Sequence, residues 1–261
     1  MLEEAEHDVL AGVDLAPSRL GDAVTERFTR AILEGRLKPG DPLPSEGRIA
    51  AAFGVSKQVA REAIRELAAM GVVHIQQGKA TRVRRPNADP LGRFFRFAAG
   101  GTAAGLAEAV ELRRTLEPPI ARFAALRRSP EELAGLERHY ARLEAALADV
   151  PTWIEADLDF HEELAVMSGN RFLRLQMQGL RPVIRQVMEL FNSRQPRSRT
   201  DWRATLRRHE RVVAAVAAAD GEAAHAAMIG HFEAAEAAIA ELFPRGEAEA
   251  GTPAQKQGGT S

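Results

Sequence analysis

The chain has 261 residues, of which 45% are apolar and 27% charged, as is usual for a globular protein with a buried core. It contains no cysteine, which excludes disulfide scaffolds, thiolate zinc sites, iron–sulfur clusters and cysteine nucleophiles. No run of about 18 apolar residues is free of charge, and residues 1–9 are acidic where a secretory signal would be basic. We therefore expect a cytoplasmic protein with no membrane partner, in which any metal is held by histidine and carboxylate.

The net charge of -1 conceals a basic N-terminal part. Residues 18–86 contain thirteen basic and seven acidic side chains, so the rest of the chain is acidic. A small basic module beside a larger acidic one favours a polyanionic partner for the first module only, although surface charge also clusters by chance.

Residues 18–86 are predicted to form a winged helix-turn-helix. Apolar residues recur at every fourth position from Leu20 to Ile32, which indicates a helix with Ser18 as its N-cap and Gly35 as its end. A short second helix is predicted from Ser45 to Phe53 and a third from Ser56 to about Met70, with Gly54 in the turn between them. Residues 72–83 are predicted to form two short strands around Gly78.

The remainder of the chain is predicted to be all-α. Residues 87–105 are expected to form a linker with a short docking helix, and residues 106–243 a bundle of about six helices. Pro118-Pro119 are expected to kink or break the first of these helices. Residues 1–17 and 244–261 are expected to be disordered.

One face of the predicted third helix is basic. Lys57, Arg61 and Arg65 lie four residues apart beside Gln58, and such donors recognise guanine and adenine edges in the major groove. The alternative is a solvated face that is paired internally through Glu62 and Glu66.

Several segments resemble the DNA-binding domain of GntR-family bacterial transcription regulators: residues 31–46, 53–56, 61–67 and 71–73. The family usually has arginine after Pro-Ser-Glu, arginine after Val-Ser, and a Gly-x-Gly wing turn, where this chain has Gly47, Lys57 and Gly78-Lys79-Ala80. The resemblance implies binding to double-stranded operator DNA. The expected DNA contacts are Ser45, Arg48, Ser56, Lys57, Gln58, Arg61, Arg65 and Lys79.

The second domain offers residues of the kind that bind metals. Asp157 and His161 lie four apart on a predicted helix, and later helices carry His209 and either His225 or His231. Three imidazoles with one carboxylate suit zinc, nickel, manganese or iron. Spacing alone does not choose between His225 and His231, and hydrogen-bonded core histidines are the alternative interpretation.

Residues 106–243 resemble the FCD effector domain of the FadR subfamily, through segments that begin at Glu111, Asp157, Ser168, His209 and Ala224. The resemblance implies a divalent metal, with zinc favoured, on Asp157, His161, His209 and His231. It also implies that Arg113 and Asn170 contact a small carboxylate effector. For Arg113 the alternative is a salt bridge to Glu117, four residues further along the helix.

These features predict a homodimeric regulator, more specifically a repressor, that binds a pseudo-palindromic operator under the control of an effector. Two other functions are consistent with the same residues: a metal-dependent enzyme with a DNA-targeting module, and a regulator that senses the metal itself. The chain is not expected to be an enzyme, because Asp159, Glu162 and Glu163 point away from the Asp157 and His161 face.

Overall fold

The computed structural model describes residues 20–147, 149–194 and 197–242. The chain divides into two compact units, the first ending at Pro90 and the second beginning at Leu91. The predicted N-cap Ser18 lies outside the described residues, and so do the segments 1–17 and 244–261 that were predicted to be disordered. Among the described helices, none is long and apolar enough to cross a membrane.

The first unit is a winged helix-turn-helix, as predicted. Its elements in chain order are α1 (Leu20–Leu33), α2 (Glu46–Phe53), α3 (Lys57–Ala69), β1 (Val73–His74) and β2 (Arg82–Val83). The two strands are antiparallel, and Val73 pairs with Val83. They are shorter than the predicted segment 72–83, because the residues around Gly78 (φ 74°) form an exposed turn.

The turn between α2 and α3 is fixed by two serine caps and one glycine. Ser45 Oγ accepts a hydrogen bond from the Arg48 amide at 3.3 Å, and Ser56 Oγ accepts one from the Val59 amide at 3.2 Å. Each cap contributes about 1 kcal/mol to helix stability. Gly54 has φ 65°, a backbone conformation that is strained for residues with a Cβ and favours glycine. The predicted caps and turn are confirmed, and they set the direction in which α3 leaves the core.

The second unit is an all-α bundle, as predicted. A short helix, α4 (Asp89–Ala99), bridges the division between the units and precedes six longer helices. These are α5 (Ala103–Arg127), α6 (Pro130–Ala145), α7 (Val150–Met167), α8 (Arg171–Arg194), α9 (Arg199–Ala217) and α10 (Gly221–Leu242). Trp153, Phe160, Leu136 and Leu164 are fully buried at the centre, and α10 packs mainly on α5 and α9.

Residues 87–105, predicted to form a linker with a short docking helix, contain α4 and the first residues of α5. Helix α4 packs closely on α8, where a Cβ at Gly179 would lie 2.8 Å from the Cβ of Leu91. Gly100 and Gly101 then turn the chain with φ 58° and 64°. Helix α5 begins at Ala103 after its cap Thr102, three residues earlier than the predicted start of the bundle.

The predicted break at Pro118-Pro119 does not occur, because α5 runs without interruption from Ala103 to Arg127. Each proline removes one backbone donor from the helix. Glu117, Pro118 and Ile120 are buried, so this part of α5 is packed inside the bundle, where packing supports a helix.

Candidate functional site

The DNA-binding residues predicted from the sequence are at the surface of the first unit. Ala60, Ile64 and Leu67 form the buried side of α3, and the opposite side faces solvent. All eight predicted contacts are exposed: Ser45, Arg48, Ser56, Lys57, Gln58, Arg61, Arg65 and Lys79. The hydroxyls of Ser45 and Ser56 also serve as the helix caps described above.

Arg61 forms a two-pronged ion pair that the sequence analysis did not anticipate. Its Nε and Nη2 donate to the carboxylate of Glu46 on α2, at 3.0 and 2.8 Å. This hydrogen bonding lowers the pKa of Glu46 and keeps its carboxylate charged. Exposed ion pairs contribute little to stability, so base edges and phosphates can compete for the Arg61 guanidinium.

The internal pairing considered as the alternative for this face is partly present. Glu62 accepts hydrogen bonds from Gln58 at 2.7 Å and from Arg65 at 2.9 Å. Glu66 instead accepts from Thr25 on α1 at 2.7 Å, which holds the two helices together. The face therefore combines solvent-exposed donors with exchangeable surface pairs, which is compatible with binding to DNA.

Lys57 lies against Gly47, the position at which the GntR family usually has an arginine. A Cβ built on Gly47 would lie 3.6 Å from the Lys57 Cε, so the lysine side chain extends across the first turn of α2. Two of the three departures from the family pattern, Gly47 and Lys57, therefore lie next to each other.

In the second unit, the structure brings together the four predicted metal ligands. Asp157 and His161 come from α7, His209 from α9 and His231 from α10. One nitrogen from each of the three imidazoles lies within 4.8 Å of the others. Asp157 Oδ1 is 3.1 Å from His209 Nε2, and Asp157 Oδ2 is 3.8 Å from His161 Nε2. His225, the alternative to His231, is outside this cluster.

The outer nitrogens of two imidazoles are held by hydrogen bonds. His209 Nδ1 donates to the Thr205 carbonyl at 3.0 Å, and His161 Nδ1 donates to the carboxylate of Glu117 on α5. In a neutral imidazole with a protonated Nδ1, Nε2 is an acceptor. His209 Nε2 then faces an Asp157 oxygen, which is also an acceptor, so a cation or a second proton is needed between them.

Unpartnered buried nitrogens also indicate that the cluster can receive an ion. Within the described residues, His161 Nε2 and His231 Nδ1 are buried without a hydrogen-bond partner. Such groups are costly to bury unless something binds them. Burial lowers the pKa of His231 well below its usual value, so its imidazole is neutral and its lone pair is available. The donor set therefore fits a divalent metal bound by nitrogen and oxygen ligands.

Glu117, expected from the sequence only as a possible partner of Arg113, is a buried residue behind the cluster. Its buried carboxylate contacts both Arg113 Nε and His161 Nδ1. Burial opposes ionisation, but Arg113 and His161 hold the pKa of Glu117 below its usual value. His161 and His209 likewise lower the pKa of Asp157 against the effect of burial. The i, i+4 spacing from Arg113 was the one sequence signal for Glu117.

A cavity of about 420 Å³ adjoins the cluster. Asp157 and His231 line it, and apolar side chains of α8, including Ile184, Val187 and Phe191, form part of its wall. Arg113 also lines the cavity; the salt bridge proposed as its alternative role is present, but its Nη2 is buried without a partner among the described residues. The volume is in the range of small-molecule sites.

The structure does not bring Asn170, the second predicted effector contact, to this cavity. Its Oδ1 accepts from the Phe172 and Leu173 amides at 2.9 and 3.4 Å. Asn170 therefore caps the start of α8, because a short amide side chain after Gly169 (φ 65°) satisfies the free amides of the first turn.

Acidic residues near the cluster in sequence are engaged elsewhere. Asp159 bonds to Arg142 at 2.6 Å and to Arg181 at 2.7 Å, and Glu162 accepts from Gln178 at 2.5 Å. Of the acidic residues that the structure describes, Asp157 and Asp201 line the cavity. Besides Asp157, the carboxylate on the cavity wall among the described residues is therefore that of Asp201, which is bonded to Ser198.

Two family models match this chain. The model for bacterial regulatory proteins of the gntR family matches residues 20–83, and the FCD domain model matches residues 108–234. Together they cover the winged helix-turn-helix and the bundle that holds the histidine cluster.

Individual relatives are also transcription regulators. The chain is 30% identical over 218 residues to the HTH-type transcriptional regulator LutR of Bacillus subtilis, covering 81% of this chain and 97% of LutR. It is 33% identical over 163 residues to the HTH-type transcriptional repressor NanR of Cronobacter sakazakii, covering 60% of this chain and 61% of NanR. The solved structure of Streptococcus agalactiae GntR matches with a TM-score of 0.63 and 26% identity, over 83% of this chain and 99% of that one.

Proposed function

We propose that this chain, which belongs to the GntR family of bacterial transcription regulators and carries an FCD domain, is a repressor. A small carboxylic acid bound beside a divalent metal controls its affinity for the operator. The relatives named as repressors support the sign of regulation. The histidine cluster beside the cavity is the observation that carries the proposal for control by an effector.

We propose that the chain acts in the bacterial cytoplasm. When bound to DNA, two copies place α3 in successive major grooves of a pseudo-palindromic operator. The two-fold symmetry of a homodimer matches paired half-sites. Arg61 and Gln58 contact base edges, and Lys79 in the wing contacts the backbone or the minor groove. Arg61 is released from Glu46 or shares its guanidinium between that carboxylate and a base.

In the effector domain, Asp157, His161, His209 and His231 would hold the metal, for which zinc is our first choice. A bound divalent cation supplies a Lewis-acidic centre that attracts an oxygen-rich acid. Glu117 and the Thr205 carbonyl orient two of the imidazoles from behind. We propose that Arg113, which lines the cavity and whose Nη2 has no partner among the described residues, binds the carboxylate of the acid.

Control requires that the acid bind with different affinities to the DNA-competent and DNA-incompetent states. To test the proposal, operator fragments are first selected from genomic DNA with the purified full chain. Their affinity is then measured by fluorescence anisotropy with zinc alone, with an acid alone and with both.

We expect release from DNA only when an acid is present, and weaker release by the acid after chelation of the metal. Release by zinc alone would instead support a direct metal sensor. Turnover of the acid would support an enzyme and would contradict the proposal.

A further inference from the structure

Among the described residues, three arginines line the cavity, and they differ in how their charge is compensated. Arg113 is paired with Glu117, as described above. Arg197, two residues before α9, and Arg208, within α9, also line the cavity, and each is half-buried. For these two, no carboxylate within ion-pair distance is found among the residues that the structure describes.

Arg197 is held in place by contacts that leave its charge unneutralised. Its Nη2 donates to the Asp201 carbonyl at 3.0 Å and to the Thr205 hydroxyl. Its guanidinium lies over the Trp202 ring, 4.2 Å from the ring centre. A carbonyl, a hydroxyl and an aromatic face orient a cation without cancelling its charge.

Asp201, whose charge acts on Arg197, has its carboxylate bonded to another residue. Its carboxylate accepts from the amide and the hydroxyl of Ser198, at 2.8 and 2.7 Å, and so closes the capping box of α9. It affects Arg197 only through its longer-range field. Asp201 therefore keeps its charge but forms no ion pair with Arg197, because its oxygens bond to Ser198.

Arg208 adds a second positive charge to the same wall. Burial lowers the pKa of Arg197, the charges of Asp201 and Asp157 raise it, and the charge of Arg208 lowers it. Two like charges, partly removed from water and facing a common cavity, are stabilised when an anion binds between them.

This arginine pair adjoins the histidine cluster. Thr205 contacts both, because its hydroxyl accepts from Arg197 and its carbonyl accepts from His209 Nδ1. Asp201, Thr205 and Arg208 are spaced by four and three residues, so they share one face of α9. A single small molecule in the cavity can therefore touch the cluster and the arginine pair together.

We propose that Arg197 and Arg208 form a second anion-binding subsite, so that the effector is an acid with two acidic groups. One carboxylate lies at the histidine cluster and Arg113, and the second group, a carboxylate or a phosphate, lies between Arg197 and Arg208. This inference rests on the proposed effector site. Apolar side chains of α8, such as Val187 and Met188, face the part of the molecule between the two acidic groups.

The subsite is first tested by isothermal titration of the zinc-loaded full chain with sulfate. We expect sulfate binding to be at least tenfold weaker in the Arg197→Gln, Arg208→Gln double variant than in the wild type. The matched control is Arg199→Gln with Arg203→Gln, which removes two exposed positive charges from the same helix and should leave sulfate binding unchanged. Absence of sulfate binding in the wild type, or equal loss in both double variants, would overturn the subsite.

Two matched pairs of acids then test the effector class: glutarate against valerate, and 3-phosphoglycerate against glycerate. We expect at least one doubly acidic member to bind tenfold more tightly than its singly acidic partner, and the advantage to disappear in the Arg197→Gln, Arg208→Gln variant. The pair that shows the advantage identifies the second group as carboxylate or phosphate. Equal affinities within both pairs would overturn the inference.

A folding control accompanies each variant, because Arg197 also stacks on Trp202. The single variant Arg208→Gln lacks that complication and should reproduce at least part of the loss. If the singly acidic probes bind and release the operator while the doubly acidic ones show no advantage, the proposed function stands and only this inference fails.

Discussion

The buried contact of Glu117 with Arg113 and His161 allows a quantitative prediction for Glu117→Gln. Arg113 and Glu117 are 6% and 1% exposed, so solvent does not screen the pair. The substitution keeps the shape of the side chain but leaves the Arg113 guanidinium as an uncompensated buried charge. Breaking a buried pair in this way typically costs about 3–5 kcal/mol.

The expected loss corresponds to a fall in Tm of about 6–20 °C, at about 2–4 °C per kcal/mol for a unit of this size. Trp153 and Trp202 are the only two tryptophans, and both lie in the second unit, so intrinsic fluorescence reports the unfolding of that unit alone. The metal-free protein is used so that ion binding does not contribute. The double variant Arg113→Met, Glu117→Gln should recover most of the loss, since no buried charge is then left unpaired.

The pH dependence of the same variant gives a second check. The pKa of Glu117 is lowered in the folded state from a reference of 4.5. The carboxylate therefore stabilises the fold fully above about pH 5, and this contribution is lost as pH falls through the folded pKa. The wild type should exceed Glu117→Gln in stability at pH 7 and approach it in acid. A Tm difference below 2 °C at pH 7, or one that is constant with pH, would refute the reasoning.

Three further predictions concern DNA and metal binding. Arg61→Ala should weaken operator binding about tenfold or more and relax base preference, whereas Lys79→Ala should weaken it without changing the preferred sequence, as measured by anisotropy at matched salt. His209→Ala and His231→Ala should lose both bound metal and acid-induced stabilisation, and His225→Ala should keep both; full metal content in His231→Ala would disprove this ligand set. Because burial keeps the pKa of His231 well below its usual value, dialysis at pH 6 should leave the ion bound and more acidic buffer should remove it.

Local signals in the sequence were sufficient for most of the fold. Ser45, Gly54 and Ser56 determine the helix-turn-helix through short-range hydrogen bonds and a left-handed turn, so their roles could be predicted from neighbouring residues. Pro118-Pro119 could not be judged in the same way. Whether a helix continues through two prolines depends on packing against other helices, and no local pattern contains that information.

The site shows the same division between local and long-range information. Asp157 and His161 share one helix, and their proximity follows from helical geometry alone. Spacing alone left His225 and His231 equally possible as the last ligand. Only the family resemblance implied that Asp157 and His161 lie close to His209 and His231. Contacts between distant segments, such as Arg61 with Glu46, were invisible in the sequence.

The metal and the acid are expected to bind as linked ligands, because Asp157, His231 and Arg113 all line the cavity. Linkage is reciprocal, so an acid whose affinity rises tenfold with zinc must raise the affinity for zinc tenfold in turn. The metal site and the acid site nevertheless differ in how far their side chains are already oriented and neutralised. The imidazoles of His161 and His209 are already oriented by Glu117 and Thr205, so little ordering opposes the ion. Arg197 and Arg208 on the cavity wall have no carboxylate within ion-pair distance among the described residues. We therefore infer that the acid is the signal and the metal a resident part of its site.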